Sequence, residues 1–270
     1  MDMKKVIGFI GSGNMGQAMI GGIIKSGLVE SSSVIVSDVD QKKLDYIVGE
    51  YKTQVTTDSI ELVEKADVIF LAVKPNIYNG VIKQIKDFVT DEKIIVSIAA
   101  GQTLGSLQER LGKTVKIVRV MPNTPALVGE GMAAICKNEN VSAEELGFVK
   151  QLFESFGKAE EISEYLFDSV VGVSGSSPAY VFMFIEALAD AAVMGGLARD
   201  KAYKFAAQAV LGSAKMVLET GKHPGELKDM VCSPGGTTIE AVAALEEAGF
   251  RNAVIKCVKE CMRKSIEMSK

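Results

Sequence analysis

Short, solidly apolar runs alternate with longer amphipathic segments through the first half of the chain. The runs at 5–10, 33–37, 68–71, 94–97 and 115–118 read as strands. Apolar positions at helical spacing predict helices over 14–26, from about Asp40 to Tyr51, and over 58–65, 76–87 and 103–111. A further strand is expected at 132–136 and a last one at 158–162. Between them, Ser142-Ala143-Glu144-Glu145 has the form of a capping box opening a helix to about Glu154. Strands alternating with helices in this way build a mostly parallel sheet covered on both faces. Beyond Ser163 no strand is predicted. Helices are expected from Pro178, from about Asp200 to Glu219, after Pro224, near Gly236 and from about Arg251 to Met268. The boundary is therefore placed at Ser163, with an α/β unit over 1–163 and a helical unit over 164–270.

The first strand runs directly into Gly11-Ser12-Gly13-Asn14-Met15-Gly16, glycines spaced as G-x-G-x-x-G ahead of an amphipathic helix. Gly11 suits a tight turn, Gly13 leaves room for a pyrophosphate, and Gly16 permits close packing of the helix. The helix start offers unpaired N–H groups and the positive dipole end to phosphate. This context marks a Rossmann-type dinucleotide site. Its cleft is expected along the carboxyl ends of the strands, which include Ala72-Val73-Lys74-Pro75, Ala99-Ala100-Gly101 and Met121-Pro122-Asn123-Thr124-Pro125. The end of the second strand selects the cofactor. Asp38 lies near the register of an acidic ribose-binding residue, which favours NAD. Ser37, with Lys42 and Lys43 behind it, can instead serve the 2′-phosphate of NADP, and both readings stay open. So does a turn or capping role for Asp38.

The helical half is apolar almost all round. Residues 178–192 expose too little polarity for one neighbouring face to bury them, so a partner subunit is expected to complete the core. Glu186 and Asp190 interrupt the run and argue against a membrane span. Two loops lead into helices here, one containing Ser174-Gly175-Ser176-Ser177-Pro178 and the other Cys232-Ser233-Pro234-Gly235-Gly236-Thr237-Thr238. Their hydroxyls and helix-start N–H groups suit a small carboxylate. Simple N-capping with Pro and Gly as punctuation is the plainer alternative.

Composition narrows the field. The 270 residues hold 47% apolar side chains and a formal charge of −4, with no basic patch and no Trp, so a nucleic-acid partner is not expected. Cys136, Cys232, Cys257 and Cys261 form no C-x-x-C pair, and His223 is the sole histidine, so no metal site is expected. Met1-Asp2-Met3-Lys4-Lys5 enters the first strand without a targeting pattern, which points to the cytoplasm. No Lys or Arg occurs between Lys158 and Arg199. Carbonyl reduction needs a proton donor for the developing alkoxide. A protonated imine needs chiefly alignment, a carboxylate anchor and a hydrogen bond to the ring nitrogen, for which the Thr238 hydroxyl is the best-placed group.

The glycine loop, Ala72–Pro75, Met121–Pro125, Ser174–Tyr180 and Asp229–Thr238, in this order, resemble pyrroline-5-carboxylate reductases over essentially the whole chain. The resemblance implies reduction of 1-pyrroline-5-carboxylate to L-proline by hydride transfer from NAD(P)H, usually NADPH with NADH possible, as the last step of proline biosynthesis. It implies that Thr238 hydrogen-bonds the ring nitrogen. It assigns the carboxylate to the loop from Ser233 to Thr237, with Gly235 and Gly236 within it, and the nicotinamide to Lys74-Pro75 and Ala99–Gly101; Ser176 is a further expected substrate-binding residue. It also implies a homodimer interlocked through the helical domain, often stacked into a decamer. Two departures stand out: Ser177 where the family commonly has Gly, and Asp38, which puts NADPH preference in doubt. A 3-hydroxyacid or 6-phosphogluconate type dehydrogenase has a similar layout but needs a catalytic lysine in the interdomain helix. A non-catalytic dinucleotide-binding regulator would have no use for the Pro-Gly-Gly-Thr-Thr loop.

Overall fold

The fold is that of a computed structural model, which describes residues 5–112 and 114–269. Most of the N-terminal pentapeptide read for targeting lies outside the described residues. The first half alternates as expected: β1 (Ile7–Ile10), α1 (Asn14–Lys25), β2 (Val34–Ser37), α2 (Gln41–Tyr51), β3 (Gln54–Thr56), α3 (Ser59–Lys65), β4 (Val68–Leu71), α4 (Pro75–Ile85), β5 (Ile94–Ser97), α5 (Leu104–Leu111), β6 (Lys116–Met121), β7 (Gly131–Lys137), α6 (Ala143–Glu154) and β8 (Gly157–Glu161). Strand β3 is additional to the sequence reading. It has one large apolar residue, Val55, and lies at the edge of the sheet, where no continuous hydrophobic run is required.

The eight strands are ordered β3-β2-β1-β4-β5-β6-β7-β8. Strands β1 to β6 run parallel, β7 is antiparallel to β6, and β8 is parallel to β7. Both faces of the central strands β1, β2, β4 and β5 are buried, and the two-residue period of a strand divides the apolar side chains between them. Ile7, Phe9, Val34, Val36, Val68 and Phe70 join α1, α2 and α6 in one core. Ile10, Ile35, Ile69, Leu71, Ile95 and Ile117 join α3, α4 and α5 in the other. Phe9 stacks on Phe70 with ring centroids 4.5 Å apart. Strand order reverses between β1 and β4, the switch point at which such sheets leave a crevice.

After β8 come α7 (Phe167–Val170), a π-helical turn over Val171–Gly175, α8 (Ser177–Met194), α9 (Arg199–Thr220), α10 (Pro224–Val231), α11 (Thr237–Glu247) and α12 (Phe250–Met268). Two compact units result, Met1–Gly175 with Cys261–Lys270, and Ser176–Glu260. The first unit thus continues past the expected boundary at Ser163. Side chains explain the extension. Arg119, almost fully buried on β6, pairs with Glu164 at 2.8 Å and lies over the Phe167 ring, itself buried. Asn123 donates to the Ser174 carbonyl, and Ser265 near the chain's end donates to Asp168 at 2.6 Å.

In the second unit α8 and α9 pack through Ala189, Ala202 and Ala206. Ala189 is the one buried residue of the 18-residue α8. Phe182, Met183, Phe205 and Leu218 lie more than 60% exposed. By length and hydropathy alone, Glu164–Met194 is long and apolar enough to cross a membrane, so Glu186 and Asp190 do not by themselves exclude a span.

Candidate active site

The crevice at the switch point is a cavity of about 220 Å³. Gly11, Gly13, Ser37, Asp38, Ala72, Val73 and Lys74 line it together, so residues from the ends of β1, β2 and β4 converge as the topology requires. The glycines divide their work. Gly11 has φ 98°, and a Cβ there would meet the Ala72 carbonyl at 2.7 Å; a Cβ on Gly16 would meet the Gly11 carbonyl at the same distance. A Cβ on Gly13 would meet nothing within 4 Å, so the space beside it is open for a ligand. Helix α1 begins with Asn14, Met15 and Gly16, and no side chain caps it. Met15 packs its side chain against the core, which leaves its backbone N–H as its offering to phosphate. An open Gly13, an uncapped helix start and a cavity at the crevice fit a dinucleotide.

Ser12 and Asp38 turn toward each other. Ser12 is fully buried, and its N–H and hydroxyl both donate to Asp38 Oδ2, at 2.8 and 2.7 Å. Asp40 N–H donates to Oδ1 at 3.0 Å, and Lys43 Nζ lies 3.8 Å from Oδ2. Burial pushes the Asp38 carboxyl up, but the Ser12 and Asp40 hydrogen bonds and Lys43 outweigh it and hold the group below the usual carboxylate range. The N-cap of α2 is Asp40, which leaves Asp38 free of that role. Ser37, also buried, shares a hydrogen bond of 3.0 Å with Ser59. Ser59 and Thr57 line the cavity and escaped the sequence reading. They follow β3, and a strand with one large apolar residue leaves no mark by which its carboxyl end can be found.

The other expected cofactor segments are held by side-chain hydrogen bonds. Pro75 occupies the first turn of α4, behind Lys74 as N-cap. From that helix the Tyr78 hydroxyl donates to Ser97 Oγ at 2.6 Å, at the end of β5. Burial pushes the Tyr78 hydroxyl up to about 12, so it stays a donor at neutral pH. Arg110 on α5 joins Asn79 of α4 to Gln102, next to Gly101. Ala99 is buried, and Gly101, with φ 75°, has the Met268 carbonyl where a Cβ would point.

The expected substrate residues lie in the second unit. Ser233 to Gly236 form a turn closed by Gly236 N–H to the Ser233 carbonyl at 3.0 Å. Pro234 comes first in it and Gly235, at φ 66°, second, the pattern of a type II turn. The turn delivers Thr237 and Thr238 to the first turn of α11, where no side chain caps the helix. Ser176 is the N-cap residue of α8. His223 caps α10 by accepting from Gly225 N–H at 3.1 Å. Cys136 is buried, and burial pushes its thiol up to about 12, the behaviour of an inert core residue.

Residues 164–268 match the pyrroline-5-carboxylate reductase dimerisation family. Residues 6–101 match the family described as NADP oxidoreductase coenzyme F420-dependent. A pyrroline-5-carboxylate reductase of Escherichia coli (strain K12) is 54% identical over 268 residues, 99% of this chain and 100% of the relative. The chain belongs to the pyrroline-5-carboxylate reductase family. Solved members of the family have the same fold. The Plasmodium falciparum pyrroline carboxylate reductase, solved with NADP bound, superposes with a TM-score of 0.90 at 35% identity, covering 98% of each chain. The Coxiella burnetii pyrroline-5-carboxylate reductase gives 0.93 at 34% identity and 99% of each chain. As a pyrroline-5-carboxylate reductase family member with a dimerisation domain, the chain is built to form oligomers.

Proposed function

We propose that this chain reduces 1-pyrroline-5-carboxylate to L-proline with NADPH, NADH also being accepted. One observation carries the reading: the same chain holds a nucleotide cavity at the sheet's switch point and a family dimerisation domain with Thr237 and Thr238 at the start of α11. Gly11, Gly13 to Gly16, Ala72 to Pro75 and Ala99 to Gly101 hold the cofactor, with Ser37 and Asp38 at the end of β2 beside it and Ser12 fixing the Asp38 carboxylate. A bound reduced nicotinamide supplies a hydride. The substrate carboxylate is held at the uncapped α11 start and its preceding turn by Ser233, Gly235, Gly236 and Thr237, with Ser176 of the α8 loop, where helix N–H groups and dipole favour an anion. The Thr238 hydroxyl hydrogen-bonds the ring nitrogen and orients the imine. A protonated imine carbon is already electrophilic, and the π electron pair moves onto nitrogen as hydride adds. The protein's task is thus alignment rather than strong acid catalysis. This agrees with the absence of Lys and Arg between Lys158 and Arg199, where a hydroxyacid dehydrogenase needs a lysine.

By function, residues 1–163 serve as the dinucleotide domain and 164–270, which hold the family's dimerisation match, as the substrate and dimerisation domain, although 164–175 and 261–270 pack with the sheet unit. The exposed apolar residues of α8 and α9 support a homodimer; its stacking into a decamer and its place in the cytoplasm, without membrane or nucleic-acid partner, belong to the same proposal. The test is direct. Purified protein with 1-pyrroline-5-carboxylate and NADPH should cause the absorbance of the reduced nicotinamide ring to fall. No turnover with either reduced cofactor overturns the reading.

A further inference from the structure

Ser176 directly follows the π-helical turn Val171–Gly175. Within that turn the Ser174 carbonyl lacks the donors a helix would give it. Four residues on stands Pro178, which has no N–H. Five residues on, the Ala179 N–H is already bonded to the Ser176 carbonyl at 3.1 Å. A side chain from far back in the sequence supplies the donor instead. Asn123 Nδ2 lies 3.2 Å from the Ser174 carbonyl and 3.2 Å from Ser174 Oγ, donating to both.

The setting of Asn123 is specific to this contact. The residue is buried just beyond the end of β6. Its Oδ1 accepts from the Met132 N–H of β7 at 2.9 Å, which fixes the carboxamide and turns Nδ2 toward Ser174. Asn123 is also the N-cap residue of the 3-10 turn Thr124–Val128, yet its side chain makes no cap bond there. Capping is the usual use of an asparagine at such a position, and here the side chain is engaged elsewhere. Gly175 approaches the same strand end: a Cβ on it would meet Met121 Cε at 2.7 Å. Two successive residues of the turn thus rest on the end of β6, Ser174 by hydrogen bonds and Gly175 by close packing. Isolated π-helical turns concentrate at functional sites.

We propose that Asn123 is a positioning residue for substrate: by replacing the N–H that Pro178 lacks, it fixes Ser174 and the turn that leads into Ser176. This rests on the assignment of Ser176 to the substrate carboxylate. The test is steady-state kinetics of wild type, Asn123→Ala and Asn123→Asp with 1-pyrroline-5-carboxylate, alongside calorimetric NADPH titration and thermal melts. Asn123→Asp retains the acceptor for Met132 but turns a carboxylate oxygen toward the Ser174 carbonyl. It should raise the KM for the imino acid about tenfold, and Asn123→Ala about fivefold, the size of one lost hydrogen bond. In both, kcat and NADPH affinity should stay within about threefold of wild type, because ground-state and transition-state binding of the carboxylate are lost together. An unchanged KM in folded Asn123→Asp overturns the proposal. So does an equal weakening of NADPH, or loss of folding in both variants, since either makes the role purely structural. Wild type that turns over with neither reduced cofactor overturns the imino-acid reading itself, and the positioning role with it.

Discussion

Two hydroxyl groups, Thr238 and Tyr78, illustrate the opposite demands placed on single residues. The first stands in the opening turn of α11 and is proposed to touch substrate. Thr238→Ala should lower kcat about 10- to 100-fold, the range of a lost positioning hydrogen bond and some proton stabilisation. Nucleotide affinity measured by titration should stay within about twofold, since that residue belongs to the substrate loop. Full turnover in the variant would remove Thr238 from the mechanism. Tyr78 is a buried anchor, and its pH dependence has a definite sign. Its hydroxyl is pushed up to about 12 from an ordinary 10 because burial disfavours the phenolate. Neutral Tyr78 thus stabilises the folded state fully below pH 10, and that contribution is lost as pH rises toward 12. Tyr78→Phe should cost about 1 kcal/mol at pH 7 through the lost bond to Ser97. The difference from wild type should shrink above pH 10, as urea denaturation at pH 7 and pH 11 would read. A constant difference would mean that Tyr78 titrates normally.

The glycine loop shows how one motif combines separate constraints at the scale of an element. Gly11 and Gly16 are required by the fold, because a Cβ at either strikes a backbone carbonyl at 2.7 Å. Gly13 is surrounded by open space. Substitutions should divide accordingly. Gly11→Ala, strained at φ 98° as well as crowded, should lose about 2–4 kcal/mol of stability. Gly13→Val should melt within a degree or two of wild type yet bind nucleotide about 100-fold more weakly, because its side chain fills the cradle. Calorimetric melting and titration on the two variants would check the division; equal thermal loss in both would contradict it. The sequence pattern already carried this loop, since spacing and a preceding strand are local properties. It could not carry β3, whose place is set by pairing with β2. With β3 missed, Thr57 and Ser59 went unrecognised as cavity residues.

Across the whole molecule the exposed apolar surface of the helical unit is the dominant fact. An 18-residue apolar helix with one buried residue is not a stable solvent-facing element. A second copy of the dimerisation domain is the occupant that the family match supports. Sedimentation velocity should show no monomer at micromolar concentration. Introducing a charge by Phe182→Asp, at a residue 62% exposed in the single chain, should shift the protein toward monomer and abolish turnover. A monomeric wild type would contradict the assembly.

The alternating apolar runs determined the α/β class, the glycine loop and the helical second half, because these depend on short-range spacing and the burial of both sheet faces. The loop motifs also carried the family. Only the tertiary structure decided the boundary, since the attachment of residues 164–175 depends on a buried arginine and asparagine far back in the chain. It likewise decided what Asp38 does. Its spacing from the glycines marked a ribose acceptor, but its hydrogen bonds go to Ser12, 26 positions away, on the neighbouring strand's loop. Spacing along a chain fixes which groups approach a cleft; which lone pairs remain free there depends on contacts that only the folded sheet brings together.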